Sequence, residues 1–316
     1  MKTNVTFDSA GLRIAGHLYV PGHGARGSHP AIVVGHPAGG VKEQAAGLYA
    51  QRLADEGFVA LAFDAAYQGE SAGSPRGVED PAHRVEDINT AVSFLSNRSE
   101  VDPDRIGVLG ICASGGYAIP AAATDHRIKA VATVSAADIG RMFREGPDGT
   151  QDTSITQGML DTAAAARTAE AAGEAAASFA IFPDTAEQAR ELGQYAFEGW
   201  EYYCTSRAQH VRSAKSFTWS SIDRIAAFGP FTFIHFIAPR PLLMIAGTNA
   251  LTQHMTTKAI DAAEEPKRLH WIDGASHVDL YDKDEYVSQA VAELTMFFET
   301  HLRKVELDES TLLTRS

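Results

Sequence analysis

A strand, a sharp turn and a helix follow one another directly between residues 106 and 123. Residues 106–111 form a short apolar run, which predicts a buried strand, and the alanine-rich residues 117–123 predict a buried helix. Cys112 stands at the end of the strand, and the residues that follow it are small. Because the backbones of a strand and a helix nearly touch around such a turn, only small residues fit there. The pattern predicts a fold in which the turn lifts one side chain, that of Cys112, out of a sheet.

Cys112 at this turn is a candidate nucleophile. A thiol raised onto the N-terminal end of a helix faces the positive end of the helix dipole, which favours the reactive thiolate. The sequence therefore predicts a lowered pKa for Cys112. Ser114 is the alternative, because small residues also flank it two positions away on either side. Gly110 and the end of the strand favour Cys112 as the apex of the turn.

The predicted strands of this chain are largely apolar and do not alternate with polar residues. Residues 31–35, 58–63, 129–135 and 241–246 are such runs, and helical patterns lie between them. Runs of this kind indicate strands that are covered on both faces, as in a parallel sheet. An antiparallel hairpin over residues 5–20 precedes them. The prediction is an α/β fold with a mostly parallel sheet flanked by helices.

A long segment interrupts this alternation between two late strands. It contains residues 162–180 and 183–197, each of which predicts a helix, and an aromatic cluster follows them. The candidates for substrate contact in this cluster are Trp200, Tyr203 and Trp219. The predicted organisation is a core of residues 1–138 and 239–304, an inserted helical lid of residues 139–238, and a C-terminal tail of residues 305–316.

Charge and cysteine content narrow the range of partners. The chain has 27 Lys and Arg residues against 40 Asp and Glu, a formal net charge of −13, which argues against nucleic-acid binding. Its two cysteines fit neither a disulfide framework nor a zinc site. No apolar run has the length of a signal peptide or a membrane span. We expect a cytoplasmic protein without metal, nucleic-acid or membrane partners, in which two subunits could share the apolar lid face as a homodimer.

Further candidate residues follow other predicted strands. In an open parallel sheet, side chains at the carboxyl ends of the strands gather at one edge. The first parallel strand ends in HPAGG, residues 36–40, whose glycines allow backbone N–H groups to face a cavity. Ala38 and Ala113 could together form an oxyanion hole. His277 follows the last strand in a Gly-Ala-Ser loop and could exchange a proton with Cys112.

The order of these motifs resembles the α/β-hydrolase superfamily, and most closely its dienelactone-hydrolase-related branch, whose nucleophile is cysteine. The resemblance covers residues 5–302 apart from the insertion. The stretches that carry it are, in order, HPAGG, FDAAYQGES, DRIGVLGICASGGYA, PRPLLMIAG and GASH. It implies Cys112 as nucleophile and His277 as general base and acid, with Ala38 and Ala113 as oxyanion donors. The implied reaction is attack on an ester, thioester or lactone carbonyl of a small acyl substrate, through an acyl-enzyme and without a cofactor.

The chain departs from the family pattern at the third member of the catalytic triad. The superfamily usually has an Asp about three residues after the glycine that ends LLMIAG, and this chain has Ala250 there. Some relatives take the acid from the preceding strand, so Asp138 is the predicted replacement. Asp279 is the alternative carboxylate, and Asn249 could orient the histidine as a neutral group.

Three functions fit this set of residues. Hydrolysis of an ester, lactone or thioester is favoured. An acyltransferase could use the same pair, Cys112 and His277, if an aromatic lid kept water away from the acyl-enzyme. The missing acid at Ala250 motivates a third function, that of a non-catalytic ligand-binding protein on a hydrolase scaffold. The presence of the nucleophile, the base and the glycine loop together argues against it, because a binding protein would not need them.

Overall fold

The computed structural model describes residues 1–22 and 28–302. A sheet of eight strands lies at the centre of this part of the chain. The predicted tail, residues 305–316, lies outside the described residues. In chain order the strands are β1 (Lys2–Ser9), β2 (Leu12–Tyr19), β3 (His29–Gly35), β4 (Val59–Phe63), β5 (Val101–Ile111), β6 (Ile128–Val134), β7 (Ser178–Ala180), β8 (Ser216–Thr218), β9 (Leu242–Gly247) and β10 (Lys267–Ile272). Strands β7 and β8 form a separate antiparallel pair.

Helices lie between most of these strands. In chain order they are α1 (Ala45–Asp55), α2 (Pro81–Ser96), α3 (Ala113–Thr124), α4 (Ile139–Glu145), α5 (Thr153–Ala171), α6 (Ala186–Glu191), α7 (Gln194–Cys204), α8 (Ile222–Ala227), α9 (Gln253–Ala262), α10 (Asp279–Asp282) and α11 (Asp284–His301). Short 3₁₀ turns cover Trp219–Ser221 and Ile234–Ile237. Within the two described ranges, no helix combines the length and the apolar character that crossing a bilayer requires.

The strand order of the large sheet is β1-β2-β4-β3-β5-β6-β9-β10. The first two strands form an antiparallel hairpin, β2 pairs antiparallel with β4, and every other neighbouring pair is parallel. The central strands are apolar because both of their faces are buried: all residues of β4 and β9 are buried, as is almost all of β6. The predicted α/β fold with a mostly parallel sheet is therefore confirmed.

The turn from β5 to α3 has the strained geometry that the small residues predict. Cys112 adopts φ 54° and ψ −119°, a conformation that L residues other than glycine rarely take. A Cβ atom on Gly110 would lie 2.1 Å from the Ser114 carbonyl oxygen, and one on Gly116 would lie 2.5 Å from the Ala137 carbonyl oxygen. The close approach of strand and helix thus requires glycine at both positions.

The insertion between β6 and β9 differs in detail from the prediction. Residues 162–180 were expected to form one helix, but α5 ends at Ala171 and the chain turns at Gly173, which has a φ of 94°. Residues 183–197 form two helices, α6 and α7, separated at Gly193 with a φ of 102°. Alanine-rich composition predicts helix well, yet the breaks are set by single glycines that take the left-handed conformation.

Candidate active site

Cys112 lies between the ends of β5 and α3 and is only 7% exposed. Its backbone N–H donates to the Val134 carbonyl at 3.0 Å, and its carbonyl accepts from the Ala137 N–H at 3.0 Å. The backbone N–H groups of Ala38 and Ala113 both hydrogen-bond to its sulfur. The structure therefore brings the two predicted oxyanion donors together at the predicted nucleophile.

The thiol of Cys112 is held in its neutral form. Burial raises its pKa above the usual value and outweighs the opposing hydrogen bonds from Tyr281, Ala113 and Ala38. The predicted lowering of this pKa is therefore wrong, because a low-dielectric environment disfavours a thiolate more than the surrounding donors stabilise it. Attack by Cys112 thus requires a base that removes the proton as the sulfur reacts.

His277 is 1% exposed, and both of its ring nitrogens have partners. The Thr252 hydroxyl oxygen lies 2.6 Å from Nδ1, and the Tyr281 hydroxyl oxygen lies 3.0 Å from Nε2. The backbone of the loop is fixed by Ser135, whose hydroxyl donates to the His277 carbonyl at 3.0 Å. Burial lowers the pKa of His277 to about 3. The ring is therefore neutral near pH 7 and able to accept a proton.

The structure does not bring Asp138 to His277. The Asp138 carboxylate accepts a hydrogen bond from the Arg141 N–H at 2.8 Å and caps the first turn of α4. The chain begins a helix immediately after this residue, and an Asp at that position satisfies the free N–H groups of the helix. The prediction of Asp138 as the triad acid is corrected on this ground.

Thr252 takes the position beside Nδ1 that a triad acid would occupy. Its hydroxyl oxygen can accept a hydrogen bond from Nδ1–H, which orients the ring, but it brings no charge to support an imidazolium. The two alternatives from the sequence have other partners: Asp279 pairs with Lys283 at 2.7 Å, and the Asn249 amide donates to the Gly274 carbonyl. Thr252 stands only two residues after Ala250, but a threonine does not match the carboxylate that the family pattern has there.

Tyr281 is a site residue that the sequence reasoning missed. Its hydroxyl hydrogen-bonds both to Nε2 of His277 and to the thiol of Cys112. It is 3% exposed and lies on α10, four residues after the histidine. The sequence gives no pattern for this contact, because His277 lies in the turn before α10 and the two residues do not share a helical face.

Ser114 supports the glycine loop and does not stand at the apex of the turn. Its hydroxyl donates to the His36 carbonyl at 2.6 Å and accepts from the Arg84 guanidinium at 3.2 Å. The His36 ring is buried, and its Nε2 accepts from the Ala65 N–H at 3.1 Å. Burial lowers the pKa of His36 well below its usual value, so this ring is a neutral brace for the loop that carries Ala38.

An apolar cavity of about 490 Å³ opens above Cys112. Tyr203 lines it, and its buried hydroxyl has no hydrogen-bond partner within the described part of the chain. Trp200 and Trp219, the other predicted contacts, do not line the cavity: Trp200 stacks on Phe197, and Trp219 packs against Phe179 at 4.7 Å. Other lining residues from the insertion include Met142, Phe143, Phe179, Phe182 and Tyr195.

The insertion is joined to the core close to the catalytic loop. Arg207 forms a two-pronged ion pair with Asp282, with nitrogen–oxygen distances of 2.9 and 2.6 Å. Asp282 directly follows Tyr281, so this ion pair links the insertion to the segment that follows His277. In residues 1–22 and 28–302, no three His, Cys, Asp or Glu side chains are grouped as metal ligands.

Comparison with known proteins gives the family. Residues 14–185 match the model of the dienelactone hydrolase family. The chain is 40% identical to the uncharacterized protein YcjY of Escherichia coli over 277 residues, which cover 87% of this chain and 89% of YcjY. It is 25% identical to a thiohydrolase of Eupenicillium brefeldianum over 304 residues, which cover 94% of this chain and 93% of that enzyme.

Solved structures agree with this assignment. The crystal structure of the hypothetical protein PA2218 from Pseudomonas aeruginosa superposes with a TM-score of 0.89 at 36% identity, covering 95% of this chain and 94% of that one. The α/β hydrolase GrgF from Penicillium has the same fold, with a TM-score of 0.81 at 18% identity and coverage of 96% and 99%. The chain therefore belongs to the dienelactone hydrolase family and is an enzyme of the hydrolase class with an α/β-hydrolase fold.

Proposed function

We propose that the protein hydrolyses a carboxylic ester, lactone or thioester of a largely apolar acyl group, through a covalent thioester on Cys112. The observation that carries this proposal is the convergence of the Ala38 and Ala113 N–H groups on the Cys112 sulfur, at the floor of an apolar cavity. Two donors fixed by the backbone beside a nucleophile are the arrangement that stabilises the oxyanion of an acyl transfer.

The first half of the reaction forms the acyl-enzyme. The Cys112 sulfur attacks the carbonyl carbon while its proton passes to His277, and the carbonyl oxygen becomes an oxyanion bonded to the two N–H groups. The Thr252 hydroxyl oxygen accepts a hydrogen bond from the Nδ1–H group of the ring throughout. Collapse of the tetrahedral intermediate breaks the bond to the leaving group, which takes the proton from the imidazolium.

The second half releases the acid. A water molecule attacks the thioester carbonyl and gives its proton to His277, and the oxyanion forms again between Ala38 and Ala113. Collapse breaks the bond between carbon and sulfur, and the imidazolium returns its proton to the sulfur of Cys112. The enzyme is regenerated, and the acid leaves the cavity.

The cavity supports an acyl group that is apolar and of moderate size. Its volume of about 490 Å³ and its aromatic and aliphatic lining would bury most of such a group. We propose that the insertion, residues 139–238, serves as a lid, because it supplies most of the apolar lining. The unpaired hydroxyl of Tyr203 would be satisfied by an oxygen atom on the acyl chain.

Two considerations favour a thioester among the three substrate classes. When the Cys112 sulfur attacks a thioester substrate, the acyl-enzyme is also a thioester. The carbon–sulfur bond that forms therefore resembles the carbon–sulfur bond that breaks. The relative from Eupenicillium brefeldianum is called a thiohydrolase. The apolar lining of the cavity also favours acyl transfer as a second candidate, since few of its groups can hold a water molecule beside the acyl-enzyme.

A substrate panel tests the proposal. Oxygen esters and thioesters with short, medium and long acyl chains are supplied to the wild type, to Cys112→Ala and to Cys204→Ala, with and without an alcohol or amine acceptor. We expect saturable turnover, a loss of about a thousandfold or more in Cys112→Ala, and unchanged rates in Cys204→Ala, whose thiol does not line the cavity. Turnover only with an acceptor would support acyl transfer, and binding without turnover would contradict both.

A further inference from the structure

We propose that Tyr281 is a catalytic residue whose hydroxyl carries the proton between the Cys112 sulfur and Nε2 of His277. The inference rests on the proposed function and adds a third reacting group to it. In the structure, the histidine that serves as base is hydrogen-bonded to the tyrosine hydroxyl at 3.0 Å, and the same hydroxyl hydrogen-bonds to the thiol.

The hydrogen bonds form a continuous chain. It runs from the Thr252 hydroxyl through Nδ1 and Nε2 of His277 to the Tyr281 hydroxyl, and from there to the Cys112 sulfur. When Tyr281 donates a hydrogen bond to Nε2, the neutral ring carries its own proton on Nδ1. That N–H group donates a hydrogen bond to the Thr252 hydroxyl oxygen. The ring is thus prepared to receive a second proton at the nitrogen that faces the tyrosine.

Packing holds the Tyr281 ring between the base and the insertion. Its centroid lies 5.6 Å from that of His277 and 5.2 Å from that of Tyr202 on α7, both in edge arrangements. The side chain is 3% exposed, so water has little access to the hydroxyl. Tyr195 also packs its edge on the His277 ring, at 5.3 Å, but the hydrogen bond to Nε2 comes from Tyr281.

The proposed step moves two protons in one direction. As the sulfur bonds to the carbonyl carbon, the thiol proton passes to the Tyr281 oxygen and the original phenol proton passes to Nε2. The tyrosine ends the step as a neutral phenol, His277 becomes an imidazolium, and the carbonyl oxygen gains the negative charge. The two transfers are concerted, because burial raises the pKa of Tyr281 well above its usual range and disfavours a free phenolate.

Substitution by phenylalanine tests this relay. Tyr281→Phe keeps the ring and removes only the bridging oxygen, and Tyr202→Phe is the matched control: its hydroxyl accepts from the Ala45 N–H and does not bond the reacting groups. We expect Tyr281→Phe to lower kcat by about 10²- to 10⁴-fold with little change in KM. We expect Tyr202→Phe to stay within a few-fold of the wild type.

The pH profile separates a relay from a structural role. Without the bridge, Tyr281→Phe would depend on thiolate formed by hydroxide, so its kcat/KM should rise steadily with pH into the alkaline range. The wild type should show no such rise, since its thiol reacts from the neutral form. A Tyr281→Phe enzyme with wild-type kcat and a wild-type profile would overturn the proposal in favour of direct contact between Cys112 and His277.

A second measurement needs no variant. The rate of acylation of the wild type in mixtures of light and heavy water should follow a curved dependence on isotope fraction, as two protons in flight require. A linear dependence, which indicates one proton, would overturn the relay while the acyl-enzyme on Cys112 still formed. Absence of any acyl-enzyme in the wild type would instead reject the proposed function itself, and the relay with it.

Discussion

At the scale of single residues, the site keeps the proposed nucleophile and the proposed base neutral. Burial raises the pKa of Cys112 and lowers that of His277 to about 3, so neither carries charge near pH 7. A preformed pair of thiolate and imidazolium is therefore disfavoured. Charge develops only when the substrate carbonyl becomes an oxyanion, and the N–H groups of Ala38 and Ala113 are already in place at that point.

The first prediction concerns the reactivity of the thiol. In a Cys204→Ala background, iodoacetamide should modify Cys112 slowly at pH 6. The reaction should become faster only when the pH rises above the pKa of an ordinary thiol, about 8.5. The unfolded protein provides the control, because its thiol titrates near the ordinary value. Rapid alkylation of the folded protein at pH 6 would contradict the neutral resting state.

The second prediction concerns the acid side of the pH profile. Because His277 stays neutral down to about pH 3, kcat/KM should show no acid limb near pH 6.5. The same shift affects stability. Below about pH 6.5 the unfolded chain gains a proton on His277 that the folded protein does not take up until about pH 3, so folding stability falls as the pH falls through this window.

Unfolding measurements on His277→Gln check the stability half of this prediction. Between pH 6.5 and pH 5, the free energy of unfolding of the wild type should fall relative to that of the variant, by up to roughly 1.4 kcal/mol per pH unit. If the free energy of unfolding changed with pH in the same way for the two proteins, a buried neutral histidine would be contradicted. An acid limb of kcat/KM near pH 6.5 would contradict it as well.

At the scale of secondary-structure elements, the β5–α3 turn defines where the nucleophile stands. Gly110→Ala should destabilise the protein by about 1–3 kcal/mol or more, because its Cβ would lie 2.1 Å from the Ser114 carbonyl oxygen. Gly158→Ala is the matched control: the site is exposed within α5, and nothing lies within 4 Å of the added Cβ. Urea unfolding compares the two, and equal stabilities would contradict the close approach.

The elements of the core could be predicted from the sequence, and the details of the insertion could not. Continuous apolar runs are decisive for strands such as β4 and β9, and the glycines around Cys112 leave little freedom for the turn. Ala38 and Ala113 could be predicted as oxyanion donors because each follows the end of a strand in a parallel sheet. In the insertion, by contrast, composition favours helix across Gly173 and Gly193, where the backbone takes positive φ.

The partners of His277 depend on contacts that local patterns do not encode. Asp138 stands at the correct sheet edge, but it caps α4, and a hydroxyl from Thr252 takes the place of a carboxylate. The pKa of Cys112 depends on burial by the surrounding elements, including an insertion whose packing the sequence does not specify. The position of Cys112 at the N-terminal end of a helix therefore predicted a lowered pKa, whereas burial raises the pKa.

At the scale of the whole molecule, Arg207 is one of several residues that join the insertion to the core. Its ion pair with Asp282 is partly buried, and removing one partner should cost about 1 kcal/mol locally. We expect Arg207→Ala to increase amide hydrogen exchange in α7 and to lower kcat/KM about tenfold, since Tyr281 adjoins Asp282. Arg268→Ala, which removes an exposed ion pair with Glu293, should change neither. Unchanged exchange in α7 of Arg207→Ala would show that the ion pair does not hold the insertion.

Measuring the mass of the protein after brief exposure to a p-nitrophenyl ester tests directly whether Cys112 is the nucleophile. Cys112 and Ser114 share the tryptic peptide that follows Arg105, so fragment ions must locate the acyl group. A nucleophilic role of Cys112 predicts an adduct on its sulfur that hydroxylamine removes at neutral pH, that persists in Ser114→Ala and that is absent from Cys112→Ala. An adduct on Ser114, or turnover of the ester by Cys112→Ala at the wild-type rate, would contradict it.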